Sequence, residues 1–259
     1  MTVRRSPSWD SFTIMPSAAD GPVAFCADLS PASVLGAYQR GIFPLPAADE
    51  YARTINEIRY EDRVAAGVIG VVGPASQDPY RVAWWSPDPR PVIGVAGLHV
   101  GRNARKQLRR GRAWTTADHA FARVAEECRT GREPRWLTDA LLAAMSGLHA
   151  RGWAHSIEVW QDDELIGGAI GVGIGAVLSG DSLFSRRPGA ARIAVADMAA
   201  RLAEAGGELI DAQWDSPFLR SLGALPMARG DYLARLDRAA GRLALPGERL
   251  PARRLIEPP

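Results

Sequence analysis

Asp211 and Gln213 stand two residues apart where an apolar run ends, in GELIDAQWDSPFLRSLGA, residues 207–224. Side chains alternate across a strand, so positions two apart share a face. A carboxylate accepts hydrogen bonds, and an amide both donates and accepts. Side by side they can orient one polar substrate group, with the acid fixing which end of the amide faces the site. Helix capping does not account for the pair, because Gln is a poor capper and residues 214–217 already supply turn chemistry. Asp181, in GDSLFSRR, follows an apolar strand. It reads either as an exposed turn acid or as a carboxylate that holds an ammonium group.

Three further groups have types and spacing suited to chemistry. In GRNARKQLRRGR, Arg102, Arg105, Lys106, Arg109, Arg110 and Arg112 occur with no acid among them, and the first five share one helical face. Such a run is either a solvated face or a positive patch for phosphates. Arg186-x-x-Gly189-x-Ala191 lies between a strand and a helix. Backbone N–H groups there can bind an anion, as in the pyrophosphate loop of GNAT-fold acetyltransferases, or the segment is a plain loop. Trp84, Trp85 and Trp136 are either core residues or, beside the prolines at 87, 89 and 91, a platform for stacking a base.

The 259-residue chain bounds these readings. Hydrophobic residues make up 47% and charged residues 23%, as in ordinary globular proteins, and the formal net charge is +2, so any nucleic-acid contact needs a local patch. Cys26 and Cys128 give no disulfide framework, and a reducing cytoplasm fits. The histidines at 99, 119, 149 and 155 lack metal-ligand spacing, so no metal is expected. Residues 165–180 are uncharged, but their six glycines fit bulged strands and not a membrane span.

The elements that must position these groups are legible in part. Ser30, Pro31 and Gly41 punctuate a helix. Residues 1–28 read as irregular, residues 47–82 are hard to place, and AWWSPDPRPVI reads as a rigid loop. Helices are expected near 117–129, 139–151, 190–205 and 217–222. AHSIEVW, LIGGAIGVGIG and AVLSGDSLFS read as three strands, followed by a strand holding both Asp211 and Gln213. The fold class expected is α+β, with a boundary near residue 95.

On these residues the chain resembles the leucyl/phenylalanyl-tRNA–protein transferases. The resemblance spans about residues 21–233 and rests on DLSPASVLGAYQRGIFP, WWSPDPR, HSIEVWQDDELIGG, GDSLFSR, LIDAQ and SLGA, in that order. It implies a small N-terminal domain, residues 1–95, and a GNAT-like C-terminal domain, residues 96–259, with a mixed sheet flanked by helices. It implies an aminoacyltransferase that moves Leu, Phe or Met from its tRNA to the N-terminal Arg or Lys of a protein, marking it for degradation. No cofactor, metal or membrane is implied, and a cytoplasmic monomer is expected.

The resemblance also implies roles. Gln213 contacts the attacking α-amine, Asp211 supports it, and Asp181 stands near the substrate amine. Trp84, Trp85 and Trp136 lie near the terminal adenosine and aminoacyl end. Ala169, Leu183, Val195, Met198 and Ile210 line the side-chain pocket, with Phe184 and Ser185 grouped beside them as substrate-binding. The basic run, Arg102 to Arg112, lies along the tRNA acceptor stem.

The chain also departs from the family pattern. It has CADLS for GGDLS, a longer segment after IFP, Ala191 and Arg192 for Ser-Lys, Ser216 and Phe218 for Asn and His, Asp181 for Glu, and Ala169 for a larger residue. These changes motivate an alternative in which a small-molecule amine accepts the aminoacyl group. An acyl-CoA N-acetyltransferase and a non-catalytic RNA-binding module are further alternatives.

Overall fold

The computed structural model describes residues 5–15, 20–74, 76–131, 133, 135–237 and 241–256, except for the side chains of Asn103, Ala104, Gln107 and Arg110. Among them the chain runs β1 (Arg5–Ser6), β2 (Ala24–Phe25), α1 (Pro31–Tyr38), β3 (Phe43–Pro46), α2 (Glu50–Ala65), β4 (Gly70–Val72), β5 (Val82–Trp85) and β6 (Arg90–Gly94). Next come α3 (Arg102–Arg110), β7 (Trp114–Ala117), α4 (Phe121–Arg129), α5 (Asp139–His149), β8 (Ala154–Gln161), β9 (Glu164–Ile174), β10 (Val177–Ser179) and β11 (Ser182–Ser185). The last are α6 (Ala190–Glu204), β12 (Leu209–Asp211), α7 (Pro217–Ser221), β13 (Leu225–Met227), α8 (Arg229–Asp237) and β14 (Leu250–Pro251). Helices and mixed sheets together make the class α+β.

The chain divides into two compact units. One holds residues 1–88 and 131–147, the other residues 89–130 and 148–259. The first unit contains a mixed sheet in the order β1-β4-β2-β5-β3. Ser30 caps α1 by accepting from Ser33 N at 3.3 Å, with Pro31 as the first helical residue. The stretch that was hard to place, 47–82, contains α2, which Asp49 caps by accepting from Ala52 N at 2.8 Å. It also supplies β4, whose three residues are all buried.

In the second unit the strand order is β13-β6-β12-β10-β9-β8-β7-β14, with β11 also paired to β9. Residues expected as a loop, 83–93, instead form parts of β5 and β6 around a short link. Pro91 is tolerated in β6 because the ladder uses its carbonyl, which accepts from Ala212 N at 3.0 Å.

A second correction concerns AVLSGDSLFS, expected as one strand. It is two. β10 runs parallel to β12, with Ser179 opposite Asp211, and antiparallel to β9. After Gly180 the chain pairs only with β9, as β11. The sheet therefore forks between β11 and the end of β12. Gly171 on β9 permits this, since a Cβ there would lie 1.6 Å from Ser179 O.

Helix α6 packs against this sheet with small residues. A Cβ on Gly167 would come within 2.6 Å of Ala190 Cβ, so the approach requires glycine. Further along the helix stand Asp197 and Arg201, both fully buried. Arg201 Nε donates to Asp197 Oδ2 at 2.7 Å, and its other nitrogens reach the carbonyls of Pro246, Glu248 and Thr115. Arg254 pairs with Asp197 at 2.6 Å. Charges removed from water need such complete pairing. The network ties the C-terminal segment to α6 and β7.

Candidate active site

The fork holds the polar residues singled out above. Gly180 N donates to Asp211 O at 2.8 Å and Asp181 N to Ile170 O at 3.0 Å, which sets Asp181 at the branch point. Its carboxylate accepts from Gln213 Nε2 and, at 2.9 Å, from Ser179 Oγ. Ser179 Oγ itself accepts from Val172 N at 2.9 Å. Asp181 is half-buried and Gln213 is 6% exposed. Because a carboxylate accepts, the amide must turn its NH2 toward Asp181, and its Oε1 points away as an acceptor.

Asp211 and Gln213 do not share a strand face as alternation predicts. β12 ends at Asp211, and Gln213 has φ of +58°, in the left-handed region. Asp211 reaches the backbone of Gln213 and not its amide, with Gln213 N donating to Asp211 Oδ1 at 2.9 Å. The acid that orients the amide is Asp181.

Asp211 is 1% exposed and has three other donors. Arg90 Nε reaches Oδ1 at 2.8 Å and Arg90 Nη2 reaches Oδ2 at 2.6 Å. Tyr232 OH donates to Oδ2 at 2.9 Å. Burial and the neighbouring carboxylate raise the Tyr232 phenol well above its usual range, so it remains a donor. Arg90, Tyr232 and Ser179 were not anticipated as site residues. The available signal was an arginine opening an apolar strand, in PRPVI, and a tyrosine in DYLARL.

Ala169, Val195, Met198 and Ile210 belong to one buried apolar cluster, with Leu183 packed against it and opposite Ala169 in the β9–β11 ladder. Phe184 is buried on the opposite face of β11, over Gly168 and beside Val124. Ser185 is exposed, accepts from Ala191 N at 3.3 Å and donates to Arg187 O at 2.8 Å, which makes it a support of the α6 start. Neither joins the cluster.

In the first unit Trp84 is fully buried, donates Nε1 to Cys26 O at 2.9 Å, and packs on Trp9 with centroids 4.8 Å apart. Its ring is core. Trp85 and Trp136 are half-buried. On α3, Arg102, Arg105, Lys106 and Arg109 are exposed while Leu108 is buried, and Arg112 is exposed just beyond the helix. The side chain of Arg110 lies outside the described residues.

The anion-loop reading fares differently. Arg186 is bound by Glu127 and Arg187 by Glu164, while Ala190 N and Ala191 N are taken by Arg187 O and Ser185 Oγ. Its cations and first amides are thus engaged internally. Among the described residues no His, Cys, Asp or Glu group is arranged to hold a metal, and no helix is long and apolar enough to cross a membrane.

Residues 92–237 match the sequence model of the leucyl/phenylalanyl-tRNA protein transferase family, a span that includes the fork and all its polar residues except Arg90. The leucyl/phenylalanyl-tRNA–protein transferase of Chromohalobacter salexigens is 39% identical over 201 residues, covering 76% of this chain and 67% of that protein. The one from Proteus mirabilis is 37% identical over 193 residues, covering 74% and 71%. The one from Anaeromyxobacter sp. is 36% identical over 198 residues, covering 75% and 72%. With more than half of its length matched by the family and these relatives aligned over most of theirs, the chain belongs to the leucyl/phenylalanyl-tRNA–protein transferase family.

Proposed function

We propose that this protein is an aminoacyltransferase that moves Leu or Phe, and also Met, from aminoacyl-tRNA to the N-terminal Arg or Lys of an acceptor protein. The observation that carries this reading within the family is the Asp181–Gln213 contact at the sheet fork. It presents a carboxylate and an amide oxygen on one site, two acceptors for one amine.

The reaction needs little more. An aminoacyl ester is already activated. The attacking α-amine has an unperturbed pKa of about 7.7–8.0, so a useful fraction is neutral near pH 7. The nitrogen attacks the ester carbonyl, the new C–N bond forms, the ester C–O bond breaks, and the ribose hydroxyl leaves with a proton. Gln213 is too weak a base to remove the amine proton. It orients the nitrogen through Oε1, while Asp181 holds the ammonium form near the site and fixes the amide. Orientation of this kind contributes up to roughly 7–11 kcal/mol in well-aligned reactions.

The apolar cluster under the fork takes the Leu or Phe side chain, and the exposed cations of α3 take acceptor-stem phosphates. Trp85 and Trp136, in the first unit, offer ring surface on which a base can stack. The protein works as a monomer in the cytoplasm and marks its acceptors for degradation.

The small-amine alternative loses its motive in part. Ser216 caps α7 by accepting from Leu219 N at 3.1 Å, and the Phe218 ring sits under Arg192 at 5.4 Å. Both departures build local structure. The test is transfer of labelled Leu or Phe from tRNA to a protein with N-terminal Arg, against a panel of small amines. Label confined to small amines refutes the protein-acceptor reading.

A further inference from the structure

Asp211 has no capacity left for substrate. A carboxylate offers about four lone-pair sites, and four donors occupy them: Arg90 Nε at 2.8 Å and Gln213 N at 2.9 Å on Oδ1, Arg90 Nη2 at 2.6 Å and Tyr232 OH at 2.9 Å on Oδ2. At 1% exposure it does not meet solvent either. The side chain's hydrogen bond into the fork comes from the Gln213 backbone N–H.

That link has a specific consequence. Gln213 stands at φ of +58°, a conformation that an L residue with a long side chain disfavours. Strand geometry would have put its side chain on the same face as that of Asp211. The bond from Gln213 N to Asp211 holds the turn, and from this turn the amide reaches Asp181. Asp211 must itself be fixed for this to work. Arg90, on β6, grips it in a two-pronged contact that sets the carboxylate plane. Tyr232, on α8, closes the far oxygen, and the Arg90 guanidinium lies 4.7 Å from the Tyr232 ring centroid. Two separate elements thus converge on one carboxylate whose remaining bond goes to Gln213.

We propose that Arg90 and Tyr232 are positioning residues of the transfer reaction, which act through Asp211 to lock the left-handed turn that aims the Gln213 amide at Asp181 and at the acceptor amine. This rests on the reading that the fork binds that amine. It assigns a catalytic consequence to two residues that touch no substrate.

The test compares Tyr232→Phe and Arg90→Lys, each alone and combined with Gln213→Ala, in the full chain under single-turnover conditions with Leu-tRNA and an N-terminal-Arg acceptor. Tyr232→Phe is expected to lower the transfer rate about tenfold, the loss for one hydrogen bond to a charged group. The tRNA affinity stays unchanged. In the Gln213→Ala background the same substitution costs nothing further, because its effect passes through Gln213. Losses that multiply in the double variant, or a wild-type rate in folded Tyr232→Phe, overturn the proposal. If Arg90→Lys does not fold, Tyr232→Phe carries the test, since it deletes a single hydroxyl.

Amide hydrogen exchange at Gln213 separates this claim from the functional one. Exchange faster in Tyr232→Phe than in wild type supports the lock even if the wild-type protein fails to label the Arg acceptor. Equal exchange overturns the lock whatever the acceptor proves to be.

Discussion

Gln213 donates its side-chain amide to Asp181, a residue 32 positions earlier in the chain, across the point where β10 leaves β12. The contact sets the polarity of the amide and turns its oxygen away from Asp181. Asp181→Asn and Gln213→Ala are therefore expected to lower turnover about a hundredfold, as other losses of substrate orientation do, with tRNA affinity nearly unchanged. Transfer kinetics together with filter binding check both halves.

Asp211→Ala is expected to behave differently. It leaves the Arg90 guanidinium, 2% exposed, without its carboxylate, a change that costs about 3–5 kcal/mol. Urea denaturation should show this variant clearly less stable than Gln213→Ala. Equal stability of the two contradicts the buried ion pair.

The exposed cations on α3 have a simple electrostatic signature. Arg109→Glu should weaken tRNA binding at low salt and reduce the slope of log K against log salt by about one or two phosphate contacts. A slope that matches wild type removes α3 from the tRNA interface.

The Asp197–Arg201 pair makes the C-terminal segment part of the fold. Arg201→Met takes one of two cations from the fully buried Asp197, which keeps Arg254, and gives up the carbonyls of Pro246 and Glu248. A loss of about 3–5 kcal/mol is expected. A loss below about 1 kcal/mol, the range of an exposed pair, contradicts the assignment.

Glu158 is fully buried on β8, where Ser156 Oγ, Thr116 Oγ1 and Ala120 N donate to it and Asp118 lies nearby. Burial raises its carboxyl above 4.5, outweighing those hydrogen bonds. The native state then holds its proton more tightly than the unfolded state does. This contribution is fully present below the unfolded value and is lost as pH rises through the folded one. As pH rises above the unfolded value, the melting temperature of Glu158→Gln should therefore gain on that of wild type. A difference independent of pH contradicts the raised value.

Local chemistry made much of the fold legible. Ser30 with Pro31 and the alternation in AHSIEVW each mark an element with few competing readings. The site was legible only as a set of residue types. Asp211 and Gln213 were visible because an acid and an amide are out of place beside Leu209 and Ile210. Their geometry was not, because strand alternation gave way to a left-handed residue at Gln213. The break at Gly180 was hidden too, since what splits that strand is its distance to β9 at Gly171. Arg90 and Tyr232 join Asp211 from 121 and 21 residues away, and no local pattern carries that. Proline density around them hid β5 and β6, and in β6 the ladder uses the Pro91 carbonyl where the proline nitrogen cannot donate.

The most direct measurement mixes the purified protein with radiolabelled Leu-tRNA or Phe-tRNA and a protein bearing N-terminal Arg. Label should enter the protein, fall about a hundredfold with Gln213→Ala, and vanish when the N-terminal amine is blocked. Absence of label from the protein, with tRNA still bound, would contradict the assignment of a protein N-terminus as the acceptor.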